Sequence, residues 1–143
     1  MAIANNNPIY PGGPQIEWTP AFVTAANTAK DGTGTVDTVF TADATYGSYL
    51  KELKFRAVGS NVQTVARVFM NNGSSNAVAA NNSLIGEITL AATTLTETQN
   101  QSDFALPMDL PIPKGYKINI ALGTAVAAGY QVTGFGGSYN PSV

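Results

Sequence analysis

The chain has 143 residues, of which only 11% are charged, and it contains neither histidine nor cysteine. The missing residue types exclude disulfides, Cys/His zinc sites and a Ser-His-Asp triad. The formal net charge of −2 argues against an electrostatic nucleic-acid interface, so we expect no nucleic-acid partner.

The first predicted element is an extended arm over residues 1–20. Four of the eight prolines lie in this segment, and proline at this density disfavours both helices and inner strands. Ile9, Tyr10, Ile16 and Trp18 are nevertheless too apolar for a solvated tail. We therefore predict that these four residues contact a sister subunit or a partner. A tail that folds back onto its own domain fits the same residues equally well.

From residue 21 to residue 143, apolar residues recur with the period of two that is typical of half-buried strands. The clearest example is Glu52–Ala57, in which the odd positions are apolar and the even positions are charged. Turn clusters rich in Gly and Asn separate the apolar segments. The predicted strands are 21–25, 35–42, 49–58, 62–70, 84–91, 103–110, 116–123 and 129–135. Eight short strands without a convincing helix predict an all-β fold, a single antiparallel β-sandwich over 21–143.

Two features of the sequence bear on the placement of strands. Pro107, Pro111 and Pro113 cannot donate to a sheet ladder, so we expect 103–113 to be an edge strand or to leave its sheet early. The short loop between 49–58 and 62–70 favours a hairpin of these two strands. In a strict jelly roll the same two strands would lie in opposite sheets, and the sequence leaves both arrangements open.

The sequence offers little catalytic or ligand-binding chemistry. Asp31, Asp37 and Asp43 are spaced six apart, which is not the ligand spacing of a calcium loop. Gly32 and Gly34 lack the third glycine and the βαβ context of a nucleotide site. The remaining carboxylates alternate on strand faces or lie in loops, where a solvated face explains them. We therefore expect no metal, no cofactor and no enzymatic activity; a carboxylate-dependent hydrolase would need two carboxyl groups facing one cleft.

Aromatic side chains provide an alternative, a glycan-binding module, because their rings can stack on sugars. The same positions also fit packing in the core or against a subunit, with one polar atom left in contact with water. The residues concerned are Trp18, Tyr46, Tyr49, Tyr116, Tyr130 and Tyr139.

Three segments resemble short all-β structural proteins of tailed bacteriophages, and among these the head decoration or cement proteins, and the resemblance as a whole covers roughly 24–137. The segments are Thr28–Val36 with Val39–Ala42, Arg67–Gly73 and Leu122–Gly129. They are turn and strand signatures rather than catalytic motifs. The resemblance implies a jelly-roll-like sandwich that forms a homotrimer and binds the major capsid protein on the outer surface of the phage head.

We accordingly expect a structural virion protein that is made in the host cytoplasm and then joins the capsid. The runner-up is a glycan-binding sandwich from a phage fibre or spike. The N-terminus lacks the basic and apolar regions of a signal peptide, and no apolar run approaches the roughly 18 residues of a membrane span, so we expect no membrane partner.

Overall fold

A computed structural model describes residues 12–139 of the chain. This part contains eight β-strands and one short 3-10 helix, Ala79–Asn81. The all-β antiparallel sandwich predicted from the sequence is confirmed. The strands are β1 (Gly13–Trp18), β2 (Asp37–Thr41), β3 (Ser48–Ala57), β4 (Thr64–Asn71), β5 (Asn82–Leu90), β6 (Asp103–Ile112), β7 (Lys117–Leu122) and β8 (Tyr130–Ser138).

The strands form two four-stranded antiparallel sheets with nested pairing. Sheet A has the order β1-β8-β3-β6, and sheet B has the order β2-β7-β4-β5. The first strand thus pairs with the last, the second with the seventh, the third with the sixth and the fourth with the fifth. The favoured hairpin of β3 with β4 is wrong, because these strands belong to opposite sheets. The chain turns between the sheets near Asn61, whose backbone pairs with Thr93 instead of continuing a ladder.

The core lies between the inner faces of the two sheets. Fully buried side chains include Leu53 and Phe55 of sheet A and Ile118 and Ile120 of sheet B. The alternation predicted for Glu52–Ala57 is therefore confirmed, since Leu53, Phe55 and Ala57 are buried. In β2 to β8 every second side chain points toward the core, so these seven strands contribute to the burial of apolar surface.

The proline-rich strand β6 is an edge strand of sheet A, as predicted. Pro107 and Pro111 are both exposed and lie opposite Glu52 and Tyr49 of β3. The register between β3 and β6 shifts between these two pairs. Asp109 lies in the irregular stretch with φ of +46°, and its carboxylate accepts a hydrogen bond of 2.9 Å from the Tyr49 hydroxyl.

The predicted arm needs correction where the structure describes it. Residues 13–18 form β1, which pairs with β8 from Gly13↔Ser138 to Trp18↔Thr133. The boundary predicted at residue 20 therefore falls after a strand that belongs to the sandwich. The physical reason is that β1 occupies an edge, where Pro14 does not interrupt a ladder on both sides. The strand predicted at 21–25 is wrong, since only an isolated bridge from Val23 to Tyr130 forms there.

Asparagine side chains hold several loops in place by bonding to backbone groups. Asn27 donates to the carbonyl groups of Thr33 and Thr35, at 2.9 and 2.7 Å. Asn76 and Asn82 bond in the same way to carbonyl groups of residues 31–34. These asparagine side chains therefore bond within the domain, because the backbone carbonyl groups of the loops need hydrogen-bond partners.

Candidate interaction surface

Strand β1 has an inverted polarity for a strand of a sandwich. Its polar residues Gln15 and Glu17 are the less exposed ones, whereas Pro14, Ile16 and Trp18 face the solvent. Ile16 is 52% exposed and Trp18 is 60% exposed. An edge strand with its apolar face outward leaves a surface that water does not solvate well.

Hydrogen bonds to β2 and to the start of β3 explain why the polar side of β1 faces inward. Gln15 Nε2 donates to the Thr41 carbonyl at 2.7 Å, and the Thr41 amide donates to Glu17 Oε1 at 3.1 Å. The Ser48 hydroxyl donates to Gln15 Oε1 at 2.5 Å, and the Gln15 amide also bonds to the Glu17 carboxylate. The two bonds to Thr41 join β1 of sheet A to β2 of sheet B. Together with the Ser48 bond, they fix which face of β1 is outward.

The outward residues of β1 continue into a larger apolar strip on the outer face of sheet A. We call Pro14, Ile16, Trp18, Tyr49 and Phe135 the apolar strip. Ile16 lies directly opposite Phe135 in the β1–β8 ladder, so both side chains lie on the same face. An open groove of about 360 Å³ runs between four strip residues, with Lys51 and Gly136 completing its lining. Trp18 flanks this groove beside Ile16.

The opposite half of the same face is charged. Asp103 of β6 forms salt bridges of 3.6 Å with both Lys54 and Arg56 of β3. These side chains are between about one third and one half exposed, so the bridges contribute little to stability. An apolar patch with a charged margin is the usual composition of a protein–protein contact surface.

The structure places the predicted contact residues as follows. Ile16 and Trp18 lie side by side on the apolar strip, whereas Ile9 and Tyr10 lie outside the described residues. Sequence reasoning missed Pro14 and Phe135 as members of the strip. The signal for Phe135 was its parity, because Val132 and Gly134 face the core and the residue after Gly134 must face outward.

The aromatic residues considered for sugar stacking do not form one cluster. Tyr130 is fully buried and makes an edge-to-face contact with Phe104, with ring centroids 6.3 Å apart. Tyr46 is 52% exposed in the turn before β3. Tyr49 lies on the strip, and its hydrogen bond to the Asp109 carboxylate raises the pKa of its hydroxyl. Trp18 and Tyr49 of this set share the outer face of sheet A, and Tyr139 lies close enough to Tyr49 to help raise the pKa of its hydroxyl.

Within residues 12–139, no three acidic side chains lie close enough together to hold a metal ion. None of the helical structure in the same range has the length and apolarity of a membrane-spanning helix. Comparison of the chain with protein-family models, curated proteins and solved structures finds no match. The apolar strip is therefore the surface feature that bears most directly on function.

Proposed function

We propose that this chain is a structural virion protein, a capsid decoration or cement protein that binds the outside of a phage head as a homotrimer and stabilises the shell. The observation that carries the proposal is the apolar strip. Exposed apolar surface that is contiguous and has a charged margin costs free energy in a solitary subunit, and association removes that cost. The resemblance of 24–137 to phage virion proteins supports the same class of function.

The nested strand order supports the fold that this family implies. We infer that pairing of β1 with β8, β2 with β7, β3 with β6 and β4 with β5 makes the sandwich a jelly roll, the eight-stranded fold built from two Greek keys. The fold hosts many functions, so it is compatible with a virion protein but does not by itself select one.

The mechanism we propose is multivalent attachment. Each subunit contributes a modest contact, and three linked subunits bind with an avidity about 10²–10⁴ higher than one alone when the geometry allows simultaneous contact. A ligand that binds the assembled shell better than its dissociated subunits stabilises the shell by mass action. In this proposal the apolar strip joins neighbouring subunits of the trimer, and Ile9 and Tyr10 reach the major capsid protein.

The first experiment measures the mass of the pure full-length protein in solution by sedimentation. We expect a trimer at micromolar concentration and a monomer for the double variant Ile16→Ser/Trp18→Ser, with an unchanged circular dichroism spectrum. Phe22→Ser is the matched control, since Phe22 is 53% exposed outside the strip, and it should remain trimeric. A monomeric wild type, or a double variant that still forms trimers, contradicts the proposed role of the strip.

The second experiment tests attachment. Purified heads that lack the protein should bind it and release DNA at a higher temperature when it is bound. A variant without residues 1–11 should keep its trimeric state and lose attachment, because it lacks Ile9 and Tyr10. If the heads do not bind the wild-type protein, the capsid role is contradicted. The result on self-association would be unaffected.

A further inference from the structure

A second surface feature lies on the outer face of sheet B, away from the apolar strip. It is a groove of about 280 Å³ whose floor consists of Thr38, Asn71, Lys117 and Asn119 and whose wall includes residues 73–76. The floor residues come from three neighbouring strands, β2, β7 and β4. Nothing in the proposed virion role uses this groove.

The strand register places the floor residues in two adjacent rows. Asn119 of β7 lies opposite Thr38 of β2, and Lys117 lies opposite Asn71 of β4. Since Lys117 and Asn119 are two residues apart on one strand, their side chains share the outer face. The groove therefore presents an ammonium group and an amide group side by side.

These two groups have unused hydrogen-bond donors. Asn119 is only 3% exposed, and its Oδ1 accepts a hydrogen bond of 2.7 Å from the Thr38 hydroxyl. Within residues 12–139, the Asn119 amide nitrogen has no hydrogen-bond acceptor and the Lys117 ammonium has no ion-pair partner. The Asn119 amide nitrogen is open to solvent, so an acceptor on a ligand can replace water as its partner.

The wall of the groove is held in a fixed position by side chains of its neighbours. The Gly73 amide donates to Asn71 Oδ1 at 2.8 Å, and Asn76 Nδ2 donates to the carbonyl groups of Gly32 and Gly34 at 3.1 and 2.9 Å. Gly73 has φ of +92°, and a side chain there would lie 2.9 Å from the Gly115 carbonyl oxygen. A wall that is already ordered loses little conformational freedom when a ligand binds.

The chemistry of the groove selects the class of ligand. Among the described residues that line the groove, Lys117 is the one that carries a charge, so the lining favours an anion. The hydroxyl groups of Ser74 and Ser75 can each donate and accept, as recognition of a polyhydroxylated ring requires. Asn76 Oδ1 can accept, while its amide nitrogen donates to the Gly32 and Gly34 carbonyls. The volume lies just below the roughly 300–1,000 Å³ of sites for drug-sized ligands, which fits one ring better than a chain.

We propose that this groove binds a single carboxylated sugar residue, such as a uronic acid, with Lys117 and Asn119 donating to the carboxylate and residues 74–76 contacting the ring hydroxyls. The proposal does not rest on the virion role, since the groove and the apolar strip lie on different sheets. The proposed site also differs from the sugar-stacking site considered in the sequence analysis, because none of the described residues that line the groove is aromatic.

The test is a titration of the full-length protein with glucuronate, followed by backbone amide chemical shifts. We expect saturable shifts that cluster at residues 73–76 and 117–119, and an affinity about tenfold or more above those of glucose and acetate. Glucose lacks the carboxylate and acetate lacks the ring, so the two probes separate the two halves of the site. Lys117→Gln should weaken glucuronate binding about tenfold or more, which corresponds to losing one charge-assisted bond.

Lys114→Gln is the matched control, because Lys114 lies in the preceding turn outside the groove and carries the same charge. It should bind glucuronate like the wild type, and both variants should keep the solution mass of the wild type. The proposal is overturned if glucuronate causes no saturable shifts. It is equally overturned if glucose, acetate, phosphate or a triglutamate peptide binds as tightly, since either the charge or the sugar ring is then not recognised.

Discussion

The side-chain oxygen of Asn61 accepts hydrogen bonds from the backbone amides of Gly129, at 2.7 Å, and Ala128, at 3.0 Å. The Asn61 amide nitrogen donates in turn to the carbonyl groups of Gly129 and Gly59. One buried amide thus joins the loop after β3 to the loop before β8. The Gly59 carbonyl also accepts a hydrogen bond of 2.8 Å from the Thr93 hydroxyl. This bond joins the loop after β5 to the same cluster.

Replacing Asn61 by Ala should lower the free energy of unfolding by about 2–4 kcal/mol. The substitution leaves the buried Gly129 amide and the half-buried Ala128 amide without their acceptor, and each unsatisfied buried group costs about 1–3 kcal/mol. The Gly129 carbonyl keeps the Val58 amide as a donor, at 3.2 Å. Urea unfolding measures the change. Asn100→Ala is the control, since Asn100 is exposed and bonds only to the adjacent Gln101 carbonyl, and it should change stability little. Equal effects of the two variants would contradict the role of Asn61 in joining these loops.

Gly136→Ala should destabilise the sandwich by about 1–3 kcal/mol or more, the usual cost of forcing atoms into a filled space. A Cβ atom at Gly136 would collide with the Tyr49 carbonyl oxygen, so the backbones of β8 and β3 would have to separate. Gly13→Ala is the matched control, because a Cβ atom at Gly13 meets nothing within 4 Å. Thermal unfolding should separate the two variants, and similar melting temperatures would argue against this close approach.

Two aspartates should change stability with pH in opposite directions. Burial raises the pKa of Asp37 above its ordinary value of 3.8, so its ionised form disfavours the folded state. Asp37→Asn should therefore stabilise the protein at neutral pH, with a gain that disappears as the pH falls through the raised pKa and below 3.8. The backbone amides of Tyr46 and Thr45 lower the pKa of Asp43, so its ionised form favours the folded state.

Asp43→Asn should accordingly destabilise the protein at neutral pH, and the difference from wild type should shrink only as the pH falls below 3.8 toward the lowered pKa. Urea unfolding at neutral pH and at about pH 2.5 measures both variants. Two variants that shift stability in the same direction at neutral pH, or by amounts that do not depend on pH, would disagree with these pKa directions.

Tyr130→Phe should leave stability unchanged or raise it by up to about 1 kcal/mol. The Tyr130 hydroxyl is buried beside the side chain of Thr93, but no group in residues 12–139 lies in hydrogen-bond geometry with it. Removing an unsatisfied buried hydroxyl spares its desolvation cost, whereas the ring keeps its contact with Phe104. Denaturant unfolding measures the change, with Tyr130→Ala as a cavity control that should lose about 3–5 kcal/mol. A clear loss in Tyr130→Phe would reveal a partner for the hydroxyl.

The strands β2 to β8 could be predicted from the sequence because each has a clear period of two or an apolar run between turn residues. The edge position of β6 also followed from Pro107 and Pro111. β1 could not be predicted, because its apolar residues face outward and Pro14 belongs to a proline-rich segment that is typical of an extended arm. Pairing of residues 13–18 with 133–138 is a contact between distant parts of the chain, which local pattern does not report.

The candidate surface was predicted in part. Ile16 and Trp18 stood out as too apolar for a solvated tail, and the structure places both on the strip. Phe135 was missed because it ends the predicted strand 129–135, and its glycine neighbours Gly134 and Gly136 leave no apolar alternation around it. The groove at Lys117 and Asn119 was missed for another reason. The two residues look like the solvated face of β7 until the register brings Thr38 and Asn71 beside them.

The pairing of β1 with β8 has a consequence for the order in which the protein can fold. As the chain leaves the ribosome, β1 emerges first but its partner strand emerges last. Sheet A cannot close during synthesis, because β8 lies between β1 and β3. Contacts between such distant segments make folding slow. The apolar residues of β1 therefore remain unpaired until β8 emerges, whereas β3 can pair with β6 earlier. Exposed apolar residues on nascent chains favour binding by chaperones.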